Sequence, residues 1–253
     1  YQGISSLFSN SDKAPVDAEG RKITRSDFLM KTALVVGALP LVSMGYGIIS
    51  GAHDYRIRRK TIILPNLPKA FDGIRIGQIS DIHSGSFFNK TAVTGGVELL
   101  MNEKPDIIFF TGDLVNNEST EMKNWMDVFE KIKAPLGVYS TLGNHDYGDY
   151  MYWASKEEKE KNIKEVVHIH RLLGYDIMMN ENRRIKIDGA EIALIGVENW
   201  GTGRFSKYGK LDVAYRGTED APVKLLLSHD PSHWDAQVRS HYPSIDMMFA
   251  GHT

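Results

Sequence analysis

The sequence predicts an α/β protein built in layers, with two β-sheets packed as a sandwich and helices outside. Three observations predict it. Strand and helix patterns alternate from residue 61 onward, and the later part of the chain is richer in short apolar strands. Short runs of Asp, His, Asn and Gly follow five of those strands. The loops beyond strand C-terminal ends are where α/β sheets place their sites.

The elements read in order as follows. Residues 1–27 are polar and read as a loop or linker. Residues 28–52 read as a transmembrane helix, centred on the uncharged stretch 32–49 (TALVVGALPLVSMGYGII). A span needs about 20 apolar residues, and Pro40 and the glycines there are better tolerated in a membrane than in a soluble helix. Arg21, Lys22, Arg25 and Lys31 precede it, and Arg56, Arg58, Arg59 and Lys60 follow, so charge does not orient it. A signal segment ranks second, although Ser26 stands where a twin-arginine pattern needs its second arginine. A buried core helix ranks third.

Residues 74–80 (IRIGQIS) alternate as a strand, and Val93, Val97, Leu100 and Met101 follow at helical spacing. Residues 107–111 (IIFFT) suit a strand covered on both faces. Met122, Trp125, Met126, Phe129 and Ile132 predict an amphipathic helix ending before Pro135. Residues 137–141 read as a strand, and 156–173 as a charged helix closed by Gly174. Strands are predicted at 184–187, 192–197, 223–228 and 247–250.

Composition narrows the function. Of 253 residues, 42% are apolar and 25% charged, ordinary for a globular domain with a real core. A net charge of -2 offers no basic footprint, so no nucleic-acid partner is expected. The absence of cysteine excludes disulfides, zinc–thiolate sites and thiol nucleophiles.

The five motifs are Asp81-Ile82-His83, Gly112-Asp113, Gly143-Asn144-His145-Asp146, Ser228-His229-Asp230 and Gly251-His252-Thr253. Each alone reads as an ordinary turn; five in order, each after a strand, do not. Carboxylates, imidazoles and one amide are ligand chemistry for two divalent cations. A shared carboxylate must bridge such a pair, and Asp113 is the expected bridge. Asp81 and His83 can face one cation, His229 and His252 the other, and Asn144 offers a neutral carbonyl ligand that limits negative charge at the site. His145 is the expected catalytic imidazole, stabilising phosphoryl oxygens or protonating a leaving group, with Asp146 fixing its tautomer. His53, His168, His170, His233 and His241 read as surface or packing residues.

On these motifs, with SDIH, TGDLV, TLGNHDYG, LLLSHDP and FAGHT, the chain from residue 61 to 253 resembles the calcineurin-like metallophosphoesterase superfamily. The details are similar to its bacterial membrane-associated branch, related to UDP-2,3-diacylglucosamine hydrolases. The resemblance implies a four-layer fold and a first metal on Asp81, His83 and Asp113. It implies a second on Asp113, Asn144, His229 and His252. Two departures stand out. Asn116 occupies a position usually held by Asp or Arg, so a supporting charge is missing or supplied elsewhere. The chain also starts at Tyr1 and stops at Thr253, one residue before the family's closing histidine. A C-terminally truncated domain, weak at the first metal, is therefore expected.

The leading expectation is a membrane-bound, metal-dependent phosphoesterase acting on a phosphodiester or pyrophosphate at a bacterial cytoplasmic membrane. Mn, Fe or Zn all suit thiolate-free donors. A lipid-linked substrate is suggested by the apolar segment and by the loop 198–210, with Trp200, Arg204, Phe205, Lys207 and Tyr208. Trp200, Arg204 and Lys207 are the candidate substrate contacts; an ordinary surface hairpin is the alternative. The competing functions are a non-catalytic metal-binding scaffold or receptor domain, and an esterase for soluble nucleotides or phosphoproteins.

Overall fold

Neighbouring residues of a strand face opposite ways, and Ile107-Ile108-Phe109-Phe110 is apolar on both sides. Such a strand needs a partner layer on each face. A computed structural model describes residues 24–49, 51–204 and 206–252. The predicted polar stretch up to residue 23, Phe205 and Thr253 lie outside the described residues. The chain divides into two compact units, Tyr1–Asp54 and Tyr55–Thr253.

The first unit holds helix α1 (Arg25–Ile49) and a 3₁₀ turn, Gly51–His53. The helix starts earlier than hydrophobicity suggests because Thr24 caps it: its Oγ1 accepts the Asp27 N–H at 3.1 Å. Leu34, Val36, Leu41 and Met44 are all exposed. A helix apolar all round has no stripe to distinguish a protein-facing side. Its Arg25–Gly47 portion, 23 residues, is long and apolar enough to cross a membrane by length and composition.

In the second unit, β1 (Ile76–Ile79), α2 (Lys90–Asn102), β2 (Ile107–Phe110), α3 (Met126–Phe129), β3 (Val138–Ser140), α4 (Lys156–Leu172) and β4 (Asp176–Ile177) alternate along the chain. The hairpin β5 (Glu181–Ile187) and β6 (Ala190–Gly196) follows, then α5 (Leu211–Tyr215) and β7 (Lys224–Leu227). A π-helical turn, Trp234–Val238, runs into α6 (Arg239–His241) before β8 (Met247–Phe249). Strands β1-β2-β3-β4 form one parallel sheet. Strands β5-β6-β7-β8 form the other, antiparallel only between β5 and β6. Asp188 and Gly189, at φ 47° and 82°, close that hairpin in the left-handed backbone region that tight two-residue turns require.

Burial sorts the layers. Ile107 and Phe109 face the second sheet and pack with Ile192, Leu194, Leu225 and Phe249. Ile108 and Phe110 face outward, against Val93 and Val97 of α2, Val128 and Phe129 of α3, and Val166 and Ile169 of α4. On the far side Ile195 and Leu226 meet Leu211, Ala214 and Val238. The result is the helix–sheet–sheet–helix sandwich the sequence predicts.

The amphipathic helix expected over 122–132 does not form as one element. A 3₁₀ turn, Ser119–Asn124, is followed by the four-residue α3. Glu121 is the cause. Its carboxylate accepts N–H groups from Gly85 (3.1 Å), Asn116 (2.6 Å), Asn117 (3.0 Å) and Glu118 (2.9 Å), tightening the chain ahead of the helix. Met122, Trp125, Phe129 and Ile132 are buried all the same. Strand β4 and helix α5 were not predicted, being too short to show a period.

His170 of α4 is fully buried beside Phe110 and Tyr175, and among the described residues neither ring nitrogen has a hydrogen-bond partner. Burial pushes its pKa down from 6.5 to about 3. Between those values the unfolded chain binds a proton that the folded chain refuses. Stability therefore falls as pH drops below 6.5, by up to about 1.4 kcal/mol per pH unit. His170→Leu is expected to remove most of that slope in urea denaturation compared at about pH 6.5 and 4.5. A slope as steep as wild type would show that other groups carry the acid sensitivity.

Candidate metal centre

Five loops leave the C-terminal ends of β1, β2, β3, β7 and β8 and carry the predicted residues together. Backbone bonds extend the ladders past the strands: Asp81 N–H to Gly112 O (3.0 Å), His83 N–H to Asp113 O (3.1 Å), and Gly251 N–H to His229 O (2.8 Å). Gln78 bridges the sheets below the centre, its Nε2 donating to Ala250 O at 2.7 Å and Thr111 Oγ1 at 3.2 Å.

The loops are tightly wound. Asp81, His83, Asp113 and His252 have φ of 52°, 47°, 60° and 58°. They are four of the seven described non-glycine residues with positive φ. Each such residue costs on the order of 1 kcal/mol or more, and Asp and His tolerate the region better than most. Gly112 (φ 101°) is required: a Cβ there would come within 2.5 Å of Gly143 N and 2.8 Å of His229 Nδ1.

Asp146 corrects one expectation. Its carboxylate does not meet the His145 ring. It accepts backbone N–H groups from Asp113 (2.9 Å), Leu114 (2.8 Å), Val115 (3.2 Å) and Gly143 (2.8 Å). Burial, then the Asp113 charge, pushes its pKa up to about 7, against the pull of those donors. The His145 tautomer is set by a carbonyl instead. Nδ1–H donates to Asn116 O at 2.8 Å, which leaves Nε2 as the reactive nitrogen. Glu121 anchors the N–H of that same Asn116, so the supporting charge comes from five residues downstream of the departure.

Asp113 is almost fully buried and central. Its Oδ1 accepts the His145 N–H at 2.9 Å. Its Oδ2 lies 3.1 Å from His229 Nε2 and 3.5 Å from His83 Nε2. Burial opposes ionisation of Asp113, but His229 and His145 outweigh it and hold its pKa below the usual carboxylate range. Burial likewise opposes charge on His229, and Asp113 outweighs it, raising the imidazole.

Two orphaned atoms test whether a cation fits. His229 Nδ1–H donates to Thr111 O at 2.7 Å, so a neutral ring turns the Nε2 lone pair toward a carboxylate oxygen. That Nε2 has no hydrogen-bond partner among the described residues. Asn144 Nδ2 donates to Tyr150 Oη at 2.7 Å, leaving a buried Oδ1 with none either. The His229 lone pair and the Asp113 carboxylate oxygen, 3.1 Å apart in a buried space, repel unless a proton or cation sits between them, so these residues fit a divalent ion. Two donor groups meet the geometric requirement, each with its ligand atoms within 4.8 Å of one another: His83, Asp113 and His145; and Asp113, His229 and His252. Asp113 belongs to both. Asp81 is in neither; its carboxylate accepts the His252 N–H at 3.0 and 3.1 Å.

The loop 198–210 packs largely on the protein itself. The Trp200 ring stacks on buried His233 at 4.4 Å, with Lys207 Nζ 4.7 Å over it, and Arg204 is exposed. Tyr208 stacks on Tyr147 at 3.8 Å, which ties the loop to the turn after His145. Sequence reasoning passed over Glu121, Tyr150 and the carbonyls of Thr111 and Asn116. Only the acid three residues after Glu118 carried a readable signal, a capping pattern.

Asp146→Asn would turn an N–H₂ donor toward buried N–H donors. Destabilisation of about 2–4 kcal/mol is expected, read from the urea midpoint. A loss within about 0.5 kcal/mol would show that the four bonds contribute little.

A family model described as calcineurin-like phosphoesterase matches residues 74–253. An uncharacterized metallophosphoesterase, YkuE, from Bacillus subtilis is 27% identical over 239 residues, covering 92% of this chain and 77% of that protein. A transmembrane protein with metallophosphoesterase domain from Danio rerio is 26% identical over 228 residues, 87% of this chain. The match covers 48% of that protein, so the chain spans about half its length. Among solved structures, phosphopantetheinyl hydrolase from Mycobacterium tuberculosis matches 69% of this chain and 75% of its own, with 15% identity and a TM-score of 0.36.

Proposed function

Because the chain belongs to the calcineurin-like metallophosphoesterase family, hydrolases acting on phosphate esters, we propose that it cleaves a phosphodiester or pyrophosphate bond at two divalent cations bridged by Asp113. The observation that supports this reading is the pair of donor groups sharing that one carboxylate. In this reading Asp81, His83 and Asp113 hold the first cation. Asp113, Asn144, His229 and His252 hold the second. Asn144 contributes a neutral oxygen and so limits negative charge where an anionic substrate must bind. When bound, such a pair neutralises phosphate charge and polarises water as nucleophile.

The chain's own residues do the rest. Thr111 O holds His229 with Nε2 toward Asp113, and Asn116 O holds His145 with Nε2 free. Protonated at Nε2, His145 donates to a phosphoryl oxygen or to the leaving oxygen. One of its ring nitrogens also lies within 4.8 Å of ligand atoms of His83 and Asp113, which favours a second reading of His145 as a ligand. Metal content of a variant separates the two roles.

The membrane reading extends this. An apolar α1, and relatives whose printed description is transmembrane, support anchoring in a membrane, with a bacterial cytoplasmic membrane as the setting. A lipid-linked phosphate ester follows as the substrate, with Trp200, Arg204 and Lys207 toward its non-reacting part. The anchored protein is expected to stay in the membrane fraction through alkaline carbonate extraction, and release into the supernatant would remove the anchor.

The activity test is Mn-dependent hydrolysis of an aryl phosphodiester by the full-length protein. Asp113→Asn is expected to lose both turnover and bound metal. His145→Ala is expected to lose about 10²–10⁴-fold in kcat while keeping its metal. Loss of metal in His145→Ala would make it a ligand. Bound metal with no turnover in wild type would favour the non-catalytic scaffold.

A further inference from the structure

We propose that Tyr150 is a positioning residue of this centre, its hydroxyl orienting the Asn144 amide and its ring bounding His145. The proposal rests on the ligand reading above and goes beyond its ligand set.

The two ends of an asparagine amide have nearly the same shape and opposite chemistry. Oδ1 can ligate a cation, whereas Nδ2–H₂ cannot. Asn144 is buried, so each end needs its own partner. Nδ2 finds one in Tyr150 Oη at 2.7 Å, and Oδ1 is the atom left over. Remove the hydroxyl and the ligating orientation leaves a buried N–H₂ unsatisfied, a penalty the flipped or withdrawn amide avoids. The hydroxyl thus makes the ligating orientation affordable before a cation arrives.

The same side chain touches the second functional group. The Tyr150 ring lies 4.6 Å from that of His145, tilted by 42°, and the His83 ring meets His145 edge-on at 4.7 Å. With Nδ1 held by Asn116 O, these two rings are aromatic neighbours of the imidazole. Tyr150 is half exposed (50%), so its outer part meets solvent while its hydroxyl and ring face hold Asn144 and His145.

The two roles separate by substitution. Tyr150→Phe keeps the ring and removes the hydroxyl; Tyr150→Leu removes both. Asn144→Asp supplies an oxygen at either end and needs no orienting partner. The experiment is calorimetric Mn²⁺ titration of the full-length protein in detergent, with kcat measured at saturating Mn²⁺. Tyr150→Phe is expected to weaken one Mn²⁺ site about ten-fold, to recover wild-type kcat at saturation, and to add no loss in an Asn144→Asp background. Tyr150→Leu is expected not to recover kcat. Wild-type Mn²⁺ affinity in Tyr150→Phe, or an equal loss on Asn144→Asp, overturns the orienting role. Full recovery by Tyr150→Leu overturns the role of the ring. A wild type that binds no Mn²⁺ overturns the ligand reading as well, which distinguishes the two failures.

Discussion

A single buried carboxylate, Asp146, joins the loop after β2 to the loop after β3. Three of its four donors, the N–H groups of Asp113, Leu114 and Val115, belong to the first loop, and Gly143 belongs to the second. These hydrogen bonds act on backbone, so they set where whole side chains start. Asp113 is itself one of the bonded residues, and His145 is the residue before Asp146. The carboxylate common to both donor groups and the candidate catalytic imidazole are therefore placed by one buried carboxyl group that acts on backbone.

That arrangement carries strain, and the core offsets it. Four of the candidate ligands, Asp81, His83, Asp113 and His252, sit at positive φ. Such geometry persists only where the surroundings over-determine it. Two sheets supply the constraint. Ile107 and Phe109 lock β2 against Leu225 and Phe249, so the C-terminal ends of β2, β7 and β8 come to one edge with little freedom. Gln78 crosses between the sheets at that edge. The donors then meet because the strands end together, although Asp81 and His252 are 171 residues apart in sequence.

Much of this was legible in the sequence. The strand periods, the apolar run at 107–110 and the polar motifs after each strand predicted the layers and the residues at their edge. The failures were local. Residues 122–132 have helical spacing, but the spacing records which face is buried and says nothing of Glu121 pulling the preceding loop into a 3₁₀ turn. Asp146 was assigned to its neighbour His145 because adjacency along the chain suggested contact. The chain turns there, and the carboxylate faces backbone from another strand's loop. Nor does the sequence show that Trp200 stacks on His233, far along the chain, with Lys207 over the same indole ring.

The sequence by itself determined the kind and order of the candidate ligands: two carboxylates, three imidazoles and an amide, one small set after each of five strands. Side-chain chemistry is written in residue identity, and a strand's period shows where each set begins. The tertiary structure alone decided which atom of each donor is free. Thr111 O turns His229, Asn116 O turns His145, and a tyrosine six residues along turns the Asn144 amide. The physical reason is that every residue carries the same backbone carbonyl. A carbonyl leaves no mark in the sequence, and only the folded chain selects which one an imidazole will meet.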